Sequence, residues 1–391
     1  MIKRDAVPIA IVGGGVAGLA LGAFLAPARH DWTIVESRPA SALKGGAALA
    51  MAPNAMWVLR RLGVADRVTK EGSVITRYHF NRSDGRSLKV VDMTPLFRPW
   101  GEQAWCVPRS DLLASLERLI PEGHLELGTP VEGVQDTGQT FILEGSGGPR
   151  QALAVIGADG AWSTVRQAFW PRPEPQYQGF VAVRGTLDWE VPAALHASVM
   201  QIWGPQGEFG FAPMGQGRTY WFATLAWPDP QSLPTRDHLL KHFHDWCDPV
   251  ETLIAVTPEA SLLIHPIYDR PVPFPETDRP VTLIGDAAHL MTPNTGQGAC
   301  QSLLDAYVLG KALGNGQSLT RAFSQYRAVR SERALAVARL SRRLGQVIHH
   351  PQPIWRQIRD GAIVLAPEIF IRKGMADAIG TPEKLALYKT K

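Results

Sequence analysis

An α/β fold is predicted by three features of the sequence: a strand, glycine turn and helix that open the chain, two short buried-strand patterns far downstream, and an aromatic, β-branched stretch between them. Pro8-Ile9-Ala10-Ile11-Val12 reads as a buried strand, and Leu19, Leu21, Phe24 and Leu25 mark the helix after the glycines. Trp32-Thr33-Ile34-Val35 is a second β-rich run ending at Glu36, which completes a parallel strand–helix–strand unit. The downstream strands are Leu153-Ala154-Val155-Ile156, before Gly157, and Val281-Thr282-Leu283-Ile284, before Gly285. From about 178 to 270, runs such as Phe180 to Val183 and Tyr220 to Thr224 are separated by Gly and Pro turns and predict a mostly antiparallel sheet. Tyr326, Val329, Leu335, Ala338, Leu340 and Leu344, with arginines between them, predict a long amphipathic helix over about 322–347 whose basic face is solvated. Glu144 to Pro149 is a surface turn, and no internal repeat is visible.

Length and composition narrow the function. At 391 residues the chain amounts to roughly 2.6 domain equivalents, so two domains or one elaborate one are expected. With 45% hydrophobic and 19% charged residues it can bury enough apolar surface to fold. A net charge of +4, spread over 40 basic and 36 acidic residues, is not the basic stripe that binds nucleic acid. Cys106, Cys247 and Cys300 are too widely spaced for a disulfide framework or a zinc site, and His349-His350 lacks partner ligands, so no metal is expected. Lys3 and Arg4 before the apolar run Ile9 to Ala28 imitate a signal peptide, but Gly13, Gly14, Gly15, Gly18 and Gly22 would weaken such a helix. No other stretch is long and apolar enough to span a bilayer. A cytoplasmic monomer or homodimer with a small-molecule substrate is the expectation.

Gly13-x-Gly15-x-x-Gly18 lies between the first strand and helix, where glycines permit a tight turn and close approach of backbone N–H groups to a pyrophosphate. Glu36, 18 residues past Gly18 at the end of the second strand, is placed to accept bonds from ribose hydroxyls. A carboxylate there favours FAD or NAD over NADP, whose 2′-phosphate it would repel. Two further motifs are not needed by an NAD dehydrogenase. These are Gly157-Ala158-Asp159-Gly160-Ala161-Trp162-Ser163-Thr164-Val165-Arg166, and Gly285-Asp286-Ala287-Ala288-His289 continuing through Pro293 to Gly296-Gln297-Gly298.

With these three motifs in order, the sequence resembles the single-component (group A) flavoprotein monooxygenases of the para-hydroxybenzoate hydroxylase-like family, from Ile9 to about Gly345. The resemblance implies a Rossmann-like FAD-binding domain (1–75, 100–177 and 275–345), an inserted, mainly antiparallel substrate-binding sheet (76–99 and 178–274) and C-terminal helices (346–391). It implies that Val16, Ala17 and Val131 also contact FAD and that Asp159 and Arg166 belong to a dual FAD/NAD(P)H motif. Asp286 would hold the ribityl chain, Pro293 to Gly298 would lie beside the isoalloxazine, and Arg109 would reach the cofactor. Gly45-Gly46-Ala47-Ala48-Leu49, followed by Pro53-Asn54-Ala55, resembles the loop near the flavin ring. A helix N-terminus at the flavin's pyrimidine edge would favour the negative charge of the reduced ring. No second Gly-x-Gly-x-x-Gly follows a strand, so NADH or NADPH is expected to bind transiently.

The implied activity is insertion of one atom of O₂ into a small aromatic, heteroaromatic or polycyclic substrate through a C4a-hydroperoxyflavin. The aromatic-rich sheet would roof the flavin, with Trp203, Phe209, Phe211, Met214, Tyr220 and Phe222 as lining candidates, although alternating aromatics also serve as core. The resemblance is nearest the urate, salicylate and 6-hydroxynicotinate hydroxylase branch. Urate hydroxylases pair a tyrosine at the position of Tyr220 with an arginine twelve residues earlier, where this chain has Glu208, so an anionic purine is disfavoured. Arg184 could bind a substrate anion, sit near the flavin or form an ion pair. No general base is assigned, with Tyr220 and His289 as the available side chains, His289 reading rather as a structural part of its loop. Two other functions fit the same motifs: a flavin reductase or dehydrogenase of isoprenoid-type substrates, and a non-catalytic flavin-binding sensor or sequestering protein. Intact Arg166, Asp286 and Gly296-Gln297-Gly298 argue against the last.

Overall fold

The strand Val7–Val12 lies at the centre of a parallel layer, with Ile9 opposite Trp32 on one side and Ala154 on the other. A strand flanked and covered on both faces reads as a continuous apolar run, which is why this segment lacks alternation. The computed structural model describes residues 7–27, 31–39, 47–205 and 207–385. The layer is a 7-stranded sheet in which Leu125–Glu126 follows Trp32–Val35 at one edge, while Phe141–Glu144 and Gly133–Asp136 add an antiparallel flank beside Arg150–Gly157. Val281–Leu283 pairs in parallel with Arg150–Gly157. The helix Val16–Leu25 returns across this sheet and packs against Gly298–Gly314, so the glycine turn and the end of the third motif meet at one end of the sheet.

A second 7-stranded sheet runs in the order Leu263–Asp269, Gln176–Asp188, Arg218–Ala226, Gly207–Gly215, Ser198–Gly204, Arg77–Arg82 and Ser87–Asp92. Its neighbours are antiparallel except Ser198–Gly204 with Arg77–Arg82. On one face Val181, Val183, Phe209, Phe211 and Trp221 pack under Leu239, Phe243 and Leu253 of the helices Arg236–His242 and Val250–Val256. The other face carries Ala212, Met214, Tyr220 and Phe222 and looks toward Ala48 and Cys106 of a small 3-stranded sheet. Phe211, expected in the substrate pocket, is therefore in the core on the far face. It pairs with Trp221 across antiparallel strands and shares that residue's side, edge-on to Trp189 at 6.1 Å between ring centroids. Phe209 is corrected in the same way, stacked on Trp221 at 5.1 Å.

The long amphipathic helix is Leu319–Ile348, and it departs from the expectation at two residues. Arg330 turns inward and is fully buried, and Leu344 stays exposed. Three short helices follow, Pro353–Leu365, Glu368–Ile379 and Pro382–Leu385. Ile363, Ile371 and Met375 of the first two pack onto the same face of the second sheet as Tyr220 and Phe222. Among the described residues no helix is long and apolar enough to cross a membrane, and no group of three or more His, Cys, Asp or Glu is arranged to hold a metal ion.

Candidate active site

The opening turn is shaped by its own packing. Gly13 has φ +108° and donates to Val35 O at 2.8 Å, and a Cβ there would come within 2.4 Å of Ala158 O. Gly15 differs, since a Cβ at that position would meet nothing within 4 Å. The space in front of the 16–25 helix is open, no side chain caps the helix and no acidic residue occupies its first turn, so the amides of Val16, Ala17 and Gly18 face that space. Glu36 is 4% exposed and its carboxylate accepts from Gly14 N at 2.5 Å and from Arg38 N at 2.8 Å and Arg38 Nε at 2.9 Å. Burial pushes this carboxyl up, but the Arg38 and Gly14 bonds outweigh it and hold it below the usual range. Arg38 was not anticipated, and a lone basic residue two positions past the strand gives little signal in the sequence. Thr129 N donates to Glu36 O at 2.8 Å, which brings Val131 to the same end of the cleft, half-buried against the core.

Arg109 starts the helix Arg109–Glu117, its amide bonded to Ala47 O at 3.2 Å. It is half-buried with Arg38, Glu36 and Arg184 as its charged neighbours, and burial first, then the two arginines, lower its pKa against the pull of Glu36. No carboxylate among the described residues is within ion-pair distance of Arg109. Ala47 is buried. Gly45 and Gly46, the other part of the expected flavin-side loop, lie outside the described residues.

Asp159 Oδ2 accepts from Val165 N at 3.1 Å while its Oδ1 is buried without a hydrogen bond, and burial raises this carboxyl. Ser163 caps the helix Thr164–Phe169 through Arg166 N at 2.9 Å. The Arg166 side chain is buried and donates to Ala287 O at 3.1 Å, which ties the second motif to the third. Burial and the neighbouring Arg270 guanidinium lower Arg166 to about 10. Asp286 keeps an exposed surface although protein surrounds it, as a side chain lining a cleft does; its enclosure raises the carboxyl. A Cβ on Gly298 would lie 4.0 Å from Asp286 Oδ1, which places the carboxylate beside the start of the 298–314 helix. That helix, like the first, has no side-chain cap and no acid in its first turn. Pro293 and Gly296 bound the turn before it, Gly296 in the left-handed region at φ +63°.

The turn and the Gly285-Asp286 loop are held by one buried polar network that the sequence did not reveal. Asn54 Nδ2 donates to Gln297 Oε1 at 2.9 Å, as does Gln301 Nε2 at 3.0 Å. Arg330 Nη2 donates to Gln301 Oε1 at 2.7 Å and Arg330 Nε to Asp305 Oδ1 at 2.7 Å. The second Asp305 oxygen accepts from His289 Nε2 at 2.7 Å and Gly285 N at 2.9 Å. Burial would raise Asp305, but His289 and Arg330 hold it below the usual range. His289 is 1% exposed and committed to this bond, so its place is structural, as its position in the loop suggested. A lone carboxylate in the apolar run Leu303-Leu304-Asp305-Ala306 was the signal that could have led to Arg330.

On the roof, Glu208 pairs across strands with Trp203 and Thr224 and faces the same side as Met214 and Tyr220. It is 4% exposed, and both hydrogen bonds it accepts end on Oε1, from Asn294 Nδ2 at 3.2 Å and Thr224 Oγ1 at 3.3 Å. The Trp203 indole N–H points to the same carboxyl without hydrogen-bonding geometry. Burial pushes Glu208 up to about 7, against the pull of Thr224 and Asn294. Trp203 itself packs edge-on to Phe80 at 5.4 Å, with the Arg359 guanidinium over its ring at 5.1 Å. Burial drives the Tyr220 hydroxyl to about 12 despite the adjacent Arg184 guanidinium, so Tyr220 is a hydrogen-bond donor at neutral pH and not a base. Arg184 lies opposite Phe222 on the neighbouring strand and has no carboxylate partner among the described residues. Tyr220 and Phe222 pack with ring centroids 6.0 Å apart.

Residues 6–341 match the FAD binding domain family. The chain belongs to this family. The chain is 35% identical over 349 residues to aurachin C monooxygenase/isomerase of Stigmatella aurantiaca, covering 88% of this chain and 90% of that protein. It is 27% identical to 2-heptyl-3-hydroxy-4(1H)-quinolone synthase of Pseudomonas aeruginosa, covering 93% of this chain and 96% of that one. Among solved structures, Klebsiella pneumoniae HpxO complexed with FAD and uric acid superposes with a TM-score of 0.86 at 24% identity, covering 96% of this chain and 98% of that chain, and shows the shared fold. The protein is thus an FAD-dependent monooxygenase that draws on NAD(P)H and O₂. Its cleft fits the cofactor: two uncapped helix N-termini, an open glycine position, an unbonded Asp159 oxygen and an unpaired Arg109 are what a dinucleotide with a central pyrophosphate requires.

Proposed function

We propose that the monooxygenase hydroxylates a neutral, hydrogen-bond-donating heteroaromatic of the 4(1H)-quinolone class that carries an apolar chain. The observation that carries this reading is Glu208: a carboxyl on the pocket side of the sheet with Oε2 free of hydrogen bonds and a proton affinity poised near neutrality. A buried acid repels an anionic ring and accepts from a ring N–H. The two relatives support it, one being named as an aurachin C monooxygenase and the other for a heptyl-substituted 4(1H)-quinolone.

In this reading the amides after Gly15, with Val16 and Ala17, hold the FAD pyrophosphate, Glu36 and Val131 its adenosine end, and Asp286 the ribityl hydroxyls. Ala47, Arg109 and the Pro293–Gly298 turn border the ring, and Asp159 and Arg166 fix the loop where NADH or NADPH approaches. FAD reduced by NAD(P)H supplies the activation of O₂ and the transferable oxygen. Glu208 Oε2 accepts the substrate N–H and takes its proton as the ring is oxygenated, while the Tyr220 hydroxyl, supported by Arg184, donates to the ring carbonyl. Met214, Phe222 and the helices from 353 onward exclude water. The chain divides accordingly into FAD-binding parts (1–75, 100–177 and 275–345), the roof (76–99 and 178–274) and a closing segment (346–391). Cys106, Cys247 and Cys300 are free thiols, which suits a cytoplasmic setting.

The test is substrate-dependent NAD(P)H oxidation and O₂ uptake by the FAD-loaded protein, offered 2-alkyl-4(1H)-quinolones, benzoates and urate. Stimulation by the quinolones with hydroxylated product is expected. Turnover of the anionic rings with none of the quinolones would overturn the proposal.

A further inference from the structure

The helix Pro353–Leu365 is turned inside out relative to an ordinary surface helix. Its buried residues are Arg359 and Asp360, whereas Ile354, Trp355, Ile358, Ala362, Val364 and Leu365 face outward. The charged side holds the helix on the protein: Arg359 lies over Trp203 and pairs with Asp360 at 2.8 Å, and Asp360 reaches Arg82 at 3.7 Å. The outward stripe continues into the next helix, with Leu365 82%, Ile369 68% and Phe370 64% exposed. Such a contiguous apolar patch is uncommon on a free surface.

The same stretch concentrates positive charge. Residues 339–373 carry seven Arg or Lys against two Asp or Glu, a larger surplus than the +4 of the whole chain. Arg342 and Arg372 are paired with Asp269 and Glu368. Arg339, Arg343, Arg356 and Lys373 have no carboxylate within ion-pair distance among the described residues. Arg339 and Arg343 are a turn apart on the 319–348 helix with exposed Val347 one turn further, Arg356 lies between Ile354 and Ile358, and Lys373 follows Ile369 by one turn.

We propose that this face of the 353–379 segment docks in the plane of an anionic phospholipid surface, with the apolar stripe in the acyl boundary and the four unpaired cations on lipid phosphates. A basic rim around an apolar stripe is what such surfaces attract. A symmetric second copy is the poorer occupant, because a two-fold interface sets this basic patch against an identical basic patch. At 13 residues the helix is too short to span a bilayer, and so lies on it. The inner side of the same two helices carries Ile363, Ile371 and Met375 of the cluster around Tyr220 and Phe222, so one layer of helix separates lipid from the substrate roof. The proposal does not depend on the identity of the substrate.

Flotation of the FAD-loaded protein with vesicles tests it. Vesicles of phosphatidylcholine with about one-third phosphatidylglycerol should carry the protein, and pure phosphatidylcholine should carry on the order of tenfold less. Leu365→Glu with Phe370→Glu should lower binding on the order of tenfold or more, with the flavin spectrum unchanged. Arg343→Gln with Lys373→Gln, which leaves the apolar stripe intact, should erase the preference for the anionic vesicles. Equal binding to both vesicles, or none, overturns the proposal, as does a dimer in light scattering that the Leu365 and Phe370 variant dissociates while vesicles bind neither form.

Discussion

Asn294 Nδ2 donates to Glu208 Oε1 over 3.2 Å, and this bond joins the turn before the 298–314 helix to the roof sheet. A carboxyl held there is sensed from both sides, by the flavin-side turn and by whatever lies under the sheet.

Glu208 gives a stability signature. Its folded-state pKa is raised from 4.5 to about 7, so the folded protein binds the proton more tightly than the unfolded chain. Stability should therefore fall as pH rises from about 4.5 to about 7 and level off above. Glu208→Gln should remove that slope, matching the parent near pH 4.5 and exceeding it at pH 8 in thermal melts. A parallel pair of melting curves across this range would contradict the assignment.

Substrate choice follows from the same residue. Glu208→Arg should move preference toward anionic rings by a few kcal/mol at most, the range of one charge-assisted hydrogen bond. The readout is the ratio of kcat/KM for a benzoate and a 4(1H)-quinolone, which should rise.

Glu36 and Asp286 should both control cofactor retention. Glu36→Ala removes the acceptor for ribose hydroxyls and leaves the Gly14 amide and Arg38 unpaired, so FAD binding should weaken by about 1–3 kcal/mol. Asp286→Ala should weaken it about 10- to 100-fold. Fluorescence titration of the apoprotein checks both, and the first substitution should also lower apoprotein stability.

Asp305→Ala should cost about 3–5 kcal/mol of folding stability by leaving the buried Arg330 guanidinium without its carboxylate. Urea denaturation measures it. Asp305→Asn, which retains an acceptor for Gly285 and His289, should cost less.

Tyr220→Phe should lower kcat/KM about tenfold through one lost hydrogen bond while FAD stays bound. Loss of the flavin instead would place Tyr220 in the cofactor site.

The parallel layer, the glycine turn, Glu36 and the two downstream motifs were legible because each is local, a run of apolar residues ending in glycine or a fixed spacing. Glu208 was reached through its spacing of twelve from Tyr220, but its face was not legible, because the cross-strand partners Trp203 and Thr224 decide the side. Phe211 was misread because aromatics on both faces of one strand look alike until their cross-strand partners are known, and Trp221 decides the side. Arg38, Asn54, Gln301 and Arg330 act across 2 to 325 residues of sequence, and no period marks polar groups that meet only in the folded core. The outward apolar stripe of the 353–365 helix has the same period as an inward one, so periodicity alone cannot say which side is covered.

Asn54 Nδ2 also donates to Ile379 O at 3.1 Å and Gln301 Nε2 to Ala378 O at 3.4 Å, so the network behind the flavin-side turn ends on carbonyls of the 368–379 helix. A protein cut ahead of that helix keeps every flavin motif and the parallel layer, yet its Asn54 and Gln301 amides lose those acceptors and the roof loses Ile371 and Met375. Such a truncation would yield folded, flavin-loading and inactive protein, a ready trap for anyone trimming an apolar helix to improve expression.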